Sequence, residues 1–290
     1  MILYNGDLWH YGPMRSLTLT MLMIAMPVAV LAQGPPLMGR GQLDELVSRI
    51  ALYPDPLLAQ IFAAATYPDQ IQDADMWANQ HRYLHGDELA RAINEDRLPW
   101  DPSVQALLPF PEVLHRMAIE PNWTRQLGDQ FLAQREEVMD AVQRMRHRAY
   151  QYGYLRSNPH FAVVVAGPSI VINPVGAGYY YVPVYNPGVV YVAPRPGFFV
   201  GGAITFGAGI SIGAAFAPWG WGGGRFGWDR HEVFVNNHVW ERAYVNRSTY
   251  VHPYEVPRYQ PARRMEGHRL EEHHHDERRH DDRRHDDRRH

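Results

Sequence analysis

The stretch Ile50-Ala51-Leu52-Tyr53-Pro54-Asp55-Pro56-Leu57-Leu58, with Ala59 to Pro68 after it, constrains this chain most. It ends one apolar helical pattern at Pro54-Asp55-Pro56 and begins another at once. Pro56 suits the first turn of a helix, where a missing N–H costs nothing. Asp55, directly before it, is placed to cap that helix. Leu43, Leu46, Val47 and Ile50 recur at helical spacing before the corner, and Leu57, Leu58, Ile61, Phe62 and Ala65 recur after it. Two apolar arms joined by a proline corner call for a small helical domain around them.

The pattern continues downstream. Pro68 opens a helix with Ile71, Ala74 and Trp77 on one face, and Asp87 is placed to cap Glu88 to Arg97. Asp101-Pro102 repeats the Asp-Pro start ahead of Val104, Leu107 and Leu108. Asn122 then caps the longest predicted helix, which runs to about Tyr152. Leu127, Phe131, Gln134, Val138, Ala141/Val142, Met145 and Ala149 form its stripe, at steps of three and four. Residues 42–155 therefore read as one all-α domain with this helix as its spine, and 33–41 as a Gly/Pro linker before it. Tyr53, Tyr67, Trp77 and Trp100 read as core.

From Phe161 the period changes to two. Ala162-Val163-Val164-Val165 and Ile170-Val171-Ile172 are short β-branched runs bounded by Gly and Pro. Tyr179 to Pro187 and Val189 to Pro194 resemble each other as Tyr/Val/Pro strands, with Pro183 marking an edge. A small antiparallel sheet is expected over 160–195. Residues 197–224 carry no charge, and Gly197, Gly201, Thr205, Gly209, Gly213 and Ala217 recur at steps of four. Such a register of small residues lets helices approach closely in lipid, so it predicts a self-associating or membrane helix. In water each glycine disfavours a helix by about 1 kcal/mol relative to alanine, which leaves an irregular loop covering the sheet as the other reading. Residues 225–260 read as aromatic and irregular, with Val233-Phe234-Val235 a strand, and 261–290 as a disordered Arg/Asp/His tail. The fold class expected in sequence order is α+β.

The N-terminus adds a destination. Residues 14–32 pair Arg15 with an apolar run from Leu17 to Val30 and small residues ahead of Gln33, the pattern of a secretory signal. An uncleaved anchor is the alternative. Met1 to Pro13 is unusual ahead of such a segment, and Met14 is the more ordinary start. The chain has no cysteine, which excludes disulfides and thiol chemistry, and its basic residues are all arginine, which excludes Schiff-base lysine chemistry. A net charge of −3 argues against nucleic acid as a partner.

The runs Leu43 to Leu46, Ile50 to Gln60, Ala65-Thr66-Tyr67-Pro68, Trp100 to Val104, Leu127-Gly128-Asp129 and Val138 to Gln143 resemble the exported bacterial family known as domain of unknown function 3300. The resemblance covers roughly residues 42–195. It implies a protein of the Gram-negative envelope or a secreted one. It brings no activity, substrate or catalytic residue.

Candidate chemistry rests on two residue types. The tail histidines His268, His273, His274, His275, His280, His285 and His290 offer imidazoles for zinc, nickel or copper, with His273, His274, His275, His280 and His285 the densest group. A soluble tail titrating near neutral pH is the plainer reading. Asp44, Glu45, Asp69, Asp73, Asp75 and Asp101 invite a hydrolase reading, but helix capping and polar faces account for such carboxylates. Gly-x-Ser-x-Gly, His-Glu-x-x-His and the phosphate loop are absent from the chain. The expected role is a non-enzymatic envelope protein that assembles with itself or with other envelope proteins. A metal-binding periplasmic protein and an envelope hydrolase are the alternatives.

Overall fold

The structure, a computed structural model, describes residues 35–242 apart from 177, 198, 199, 220, 222, 223 and 236. The signal segment, the upstream start and the whole predicted tail, 261–290, with its histidines lie outside the described residues. Eight helices come first: α1 Arg40–Val47, α2 Asp55–Ala65, α3 Pro68–Gln80, α4 Gly86–Asp96, α5 Pro102–Gln105, α6 Pro111–Ile119, α7 Pro121–Ala133 and α8 Arg135–Gln151. Strands β1 Phe161–Ala166, β2 Ser169–Pro174, β3 Tyr179–Tyr180 and β4 Pro183–Tyr185 follow, then the one-turn helix α9 Pro187–Val190. Strands β5 Ile204–Phe206 and β6 Ile210–Ser211, a 3-10 turn Ala214–Trp219, and β7 Arg225–Gly227, β8 Glu232–Val235 and β9 His238–Val239 complete the described chain. The fold is α+β, as expected.

The central element is α2. Every residue from Leu57 to Ala65 is buried, so this helix has no solvent face. It is surrounded by α3, α5, α7, β2, β7 and β8. At Gly128 of α7 the two backbones approach so closely that a Cβ there would lie 2.0 Å from the Ala65 carbonyl oxygen. The Phe62 and Phe131 rings stack beside this crossing, 4.6 Å apart. One hydrophobic core runs from Leu43 through the helices to Trp228 and Val233, and the strands share it. Tyr53, Trp77 and Trp100 are buried in it as predicted, and Tyr67 packs against it.

The predicted long helix from Asn122 to Tyr152 is two helices. The chain breaks at Gln134, with φ −144° and ψ 59°. Gln134 is the only amide in the apolar stripe, and its Nε2 donates to the Met38 carbonyl at 3.2 Å instead of packing against apolar neighbours. Arg135 follows, its guanidinium 5.2 Å from the Phe131 ring and 5.1 Å from the Trp240 ring. The helix starts at Pro121, so Asn122 is not its cap. Burial of α2, not the length of α7 and α8, makes the spine.

The expected sheet over 160–195 is also differently made. β1 and β2 form a hairpin, with Val164 opposite Val171. β3 pairs with β6 and β4 with β5, so the tyrosine strands find their partners in the glycine-rich segment. The stretch after Asn186 is a helical turn capped by that side chain, which accepts from Gly188 N–H at 2.8 Å.

The zipper helix does not form. Gly197 and Gly202 both hold φ +82°, a left-handed conformation closed to an α-helix. Thr205 lies in β5, Gly209 abuts the Tyr181 ring, where a Cβ would come within 2.8 Å, and Ala217 lies in the 3-10 turn. Gly201 and Gly213 sit in the connections. The six small residues lie on no common helix, so the spacing of four does not build the predicted zipper helix. Strand pairing satisfies the backbone at Ile204–Phe206 and Ile210–Ser211, where a glycine-rich helix in water would be disfavoured. Among the described residues no helix is long and apolar enough to cross a membrane.

Candidate functional site

The most buried charges meet at the start of α2. Asp55 is the first residue of the helix rather than its cap, and Arg146 from α8 comes to it at 2.7 Å. Arg146 is fully buried. Its Nε donates to Ala51 O at 2.8 Å, NH1 to Ile170 O at 2.8 Å and NH2 to Tyr53 O at 3.0 Å. The other Asp55 oxygen accepts from Trp228 Nε1 at 2.8 Å, and Ile172 N–H reaches Oδ1 at 3.3 Å. The Trp228 ring lies 5.0 Å from the guanidinium. One ion pair therefore ties the proline corner, α2, α8, β2 and the turn after β7. Each carboxylate oxygen already has a partner, so the pair is occupied by structure.

The other predicted carboxylates have similar roles. Asp44 pairs with Arg144 at 2.6 Å and joins α1 to α8. Asp101 caps α5 as predicted, accepting from Ser103 N–H at 2.9 Å. Asp75 meets His115 at 3.1 Å, between α3 and α6, and Asp140 meets His231 at 2.9 Å. Glu45 and Asp69 are exposed, and Asp73 is half-buried. These carboxylates are spread over the body and share no cleft. Among the described residues no three His, Asp or Glu side chains converge to hold a metal ion.

Tyr180, Tyr185 and Tyr191 of the aromatic stretch pack inward, while Tyr179 is exposed. Tyr185 and Tyr191 each donate to the Ser48 carbonyl at 2.9 Å, and Leu52 N–H donates to the Tyr185 hydroxyl at 3.3 Å. Arg116 NH1 donates to the Tyr53 hydroxyl at 3.0 Å. Burial pushes the phenols of Tyr53, Tyr185 and Tyr191 above the ordinary tyrosine range, because the phenolate would lose its water. These groups stay neutral and hold the sheet to the corner before α2.

The β1–β2 hairpin also turns apolar side chains outward. Its two outer edges differ. On β2, Ile170 N–H donates to Gln143 Oε1 at 2.8 Å, its carbonyl accepts from Arg146, and Ile172 N–H turns to Asp55. Side chains of α8 and α2 thus close that edge. On β1, Val163 and Val165 face Ile172 and Ile170 across the hairpin, so the alternation of an antiparallel ladder turns their amide groups outward. Ser157 takes both Val163 groups, its Oγ accepting from N–H at 2.9 Å and donating to the carbonyl at 3.3 Å. At Val165 the edge is open. Val164 and Val165 are 45% and 51% exposed. From Ser157 to Pro194 the chain carries no Asp, Glu or Arg. Edge strands are normally guarded by charge or proline, and this one is not.

Two hollows flank this region of the body. One, of about 460 Å³, lies between α1 and α8, where Arg40 and Arg144 face Glu137 and Asp140. The other, of about 330 Å³, lies between the turn after α8 and the approach to β5. The sequence reading missed Arg146, although a basic residue four positions after Val142 in an apolar stripe was a visible signal. It also missed Trp228 and the open edge, which depend on distant partners.

Over residues 39–275 the chain matches the family described as Protein of unknown function (DUF3300). It is 36% identical over 182 residues to the "Uncharacterized protein YacH" of Escherichia coli (strain K12), a match that takes in 52% of this chain and 29% of that protein. The chain therefore covers less than a third of that relative's length. No solved structure matches it. With the proline corner, the Asp101 cap and the Gly128 crossing all inside the matched residues, the chain belongs to the DUF3300 family.

Proposed function

We propose that this protein is an exported component of the cell envelope that acts by association, with the open edge of β1 as the strand an extended partner segment joins. One observation carries the reading: Asn158 and Ser157 take the outward groups of Phe161 and Val163, but β1 leaves those of Val165 open on an uncharged, β-branched, half-exposed stretch, while the β2 edge is closed by side chains. Strand addition draws affinity from main-chain hydrogen bonds and needs such an edge. The signal pattern at 14–32 supports export. The saturated Asp55–Arg146 pair supports a structural rather than a catalytic use of the buried charge.

Val165→Lys tests it. The side chain is half exposed, so the unfolding midpoint should stay within about 0.5 kcal/mol of the parent. Crosslinking in intact envelopes should give adducts of the parent that fall about tenfold in the variant. Equal adducts from both proteins would rule out the β1 edge as the contact.

A further inference from the structure

We propose that the hollow of about 330 Å³ between the turn after α8 and the approach to β5 binds a small oxyanion, a carboxylate or phosphate ester, carried on a flat apolar body. Arg156 is the recognising group. Its guanidinium lies 4.6 Å over the Tyr150 ring, and NH1 donates to the carbonyls of Tyr150 and Leu155 at 3.1 and 3.4 Å. The side chain is thus fixed by one nitrogen and one ring face. Its Nε and NH2 make no hydrogen bond among the described residues. These two groups form the side-on fork of a guanidinium, whose parallel N–H groups match the two oxygens of a carboxylate or phosphate.

The fork borders the hollow. A Cβ built on Gly153, a lining residue with φ +85°, would lie 3.9 Å from Arg156 NH2 and 3.5 Å from Val200 across the opening. The lining contains no carboxylate that would compete for the guanidinium. Its wall carries the aromatic rings of Tyr154, His160 and Phe206, with the Phe206 ring 4.5 Å from His160. An aromatic wall with one preorganised cation takes a ligand with a flat body and one anionic group. The volume falls in the range of small-molecule sites.

The test uses the full chain, followed by NMR of the Arg156 side chain and the Phe206 ring. The probes are benzoate, phenyl phosphate and benzamide, the last a neutral analogue. Benzoate or phenyl phosphate should give saturable shifts and bind at least tenfold more tightly than benzamide. The tighter of the two identifies the carboxylate or the phosphate source. Arg156→Gln should remove the preference without moving the unfolding midpoint, and Arg156→Lys should restore only part of it, since lysine keeps the charge and loses the fork. Absence of saturable shifts, equal binding of benzamide, or unchanged binding by Arg156→Gln would each overturn the site.

Discussion

Arg146→Met is expected to cost about 3–5 kcal/mol of stability, read as a fall in the urea midpoint. The methionine fills most of the space, so the loss is electrostatic. Asp55 would keep only Trp228 Nε1 and Ile172 N–H, and a carboxylate buried without its cation is strongly unfavourable. The carbonyls of Ala51, Tyr53 and Ile170 would lose their donor at the same time. The double variant Asp55→Leu/Arg146→Met should regain a large part of the loss, because removing both members of a buried pair is far cheaper than removing one. Independent, additive losses in the two single variants would show that the pair is not coupled.

Gly128→Ala should cost about 3 kcal/mol or more, opposite in sign to the usual effect of alanine in a helix. The added Cβ would meet Ala65 O at 2.0 Å, Ala65 C at 2.5 Å and Thr66 N at 2.9 Å. These are backbone atoms, so α2 and α7 would have to separate, and the stacked Phe62 and Phe131 rings would part with them. Gly41→Ala provides the contrast. It lies in α1 with nothing within 4 Å of its added Cβ, so it should stabilise by about 0.5–1 kcal/mol. Thermal or urea unfolding of the two variants separates the close crossing from ordinary helix propensity.

What the sequence made legible was local. The proline corner, the Asp101 cap and the stripe Leu57, Leu58, Ile61, Phe62 depend on neighbours three or four residues away, and all three stand in the fold. The Asp55 carboxylate was misread because capping is the local use of an aspartate before a proline, whereas its partners Arg146 and Trp228 come from far along the chain. The glycine register failed for the same reason. Tyr179 pairs with Ser211 and Val184 with Thr205, and no periodicity inside 197–217 announces partners in 179–185. Small residues at steps of four fit a helix interface and a chain that crosses close to aromatic rings equally well. Gly209 against Tyr181 is the second case. The Arg156 fork is made by a ring and two carbonyls that only the turn after α8 brings together.

The central claim is that the aromatic strands and the glycine-rich segment are built into the same core as α2, in water. Amide hydrogen exchange of the full chain in detergent-free buffer tests it most directly. Ile212 N–H, bonded to the Gly178 carbonyl at 2.6 Å, and Tyr180 and Ile210 in the β3–β6 pair should exchange slowly, alongside the amides of Leu58 to Phe62. Complete exchange of the first group within seconds, while α2 stays protected, would contradict it.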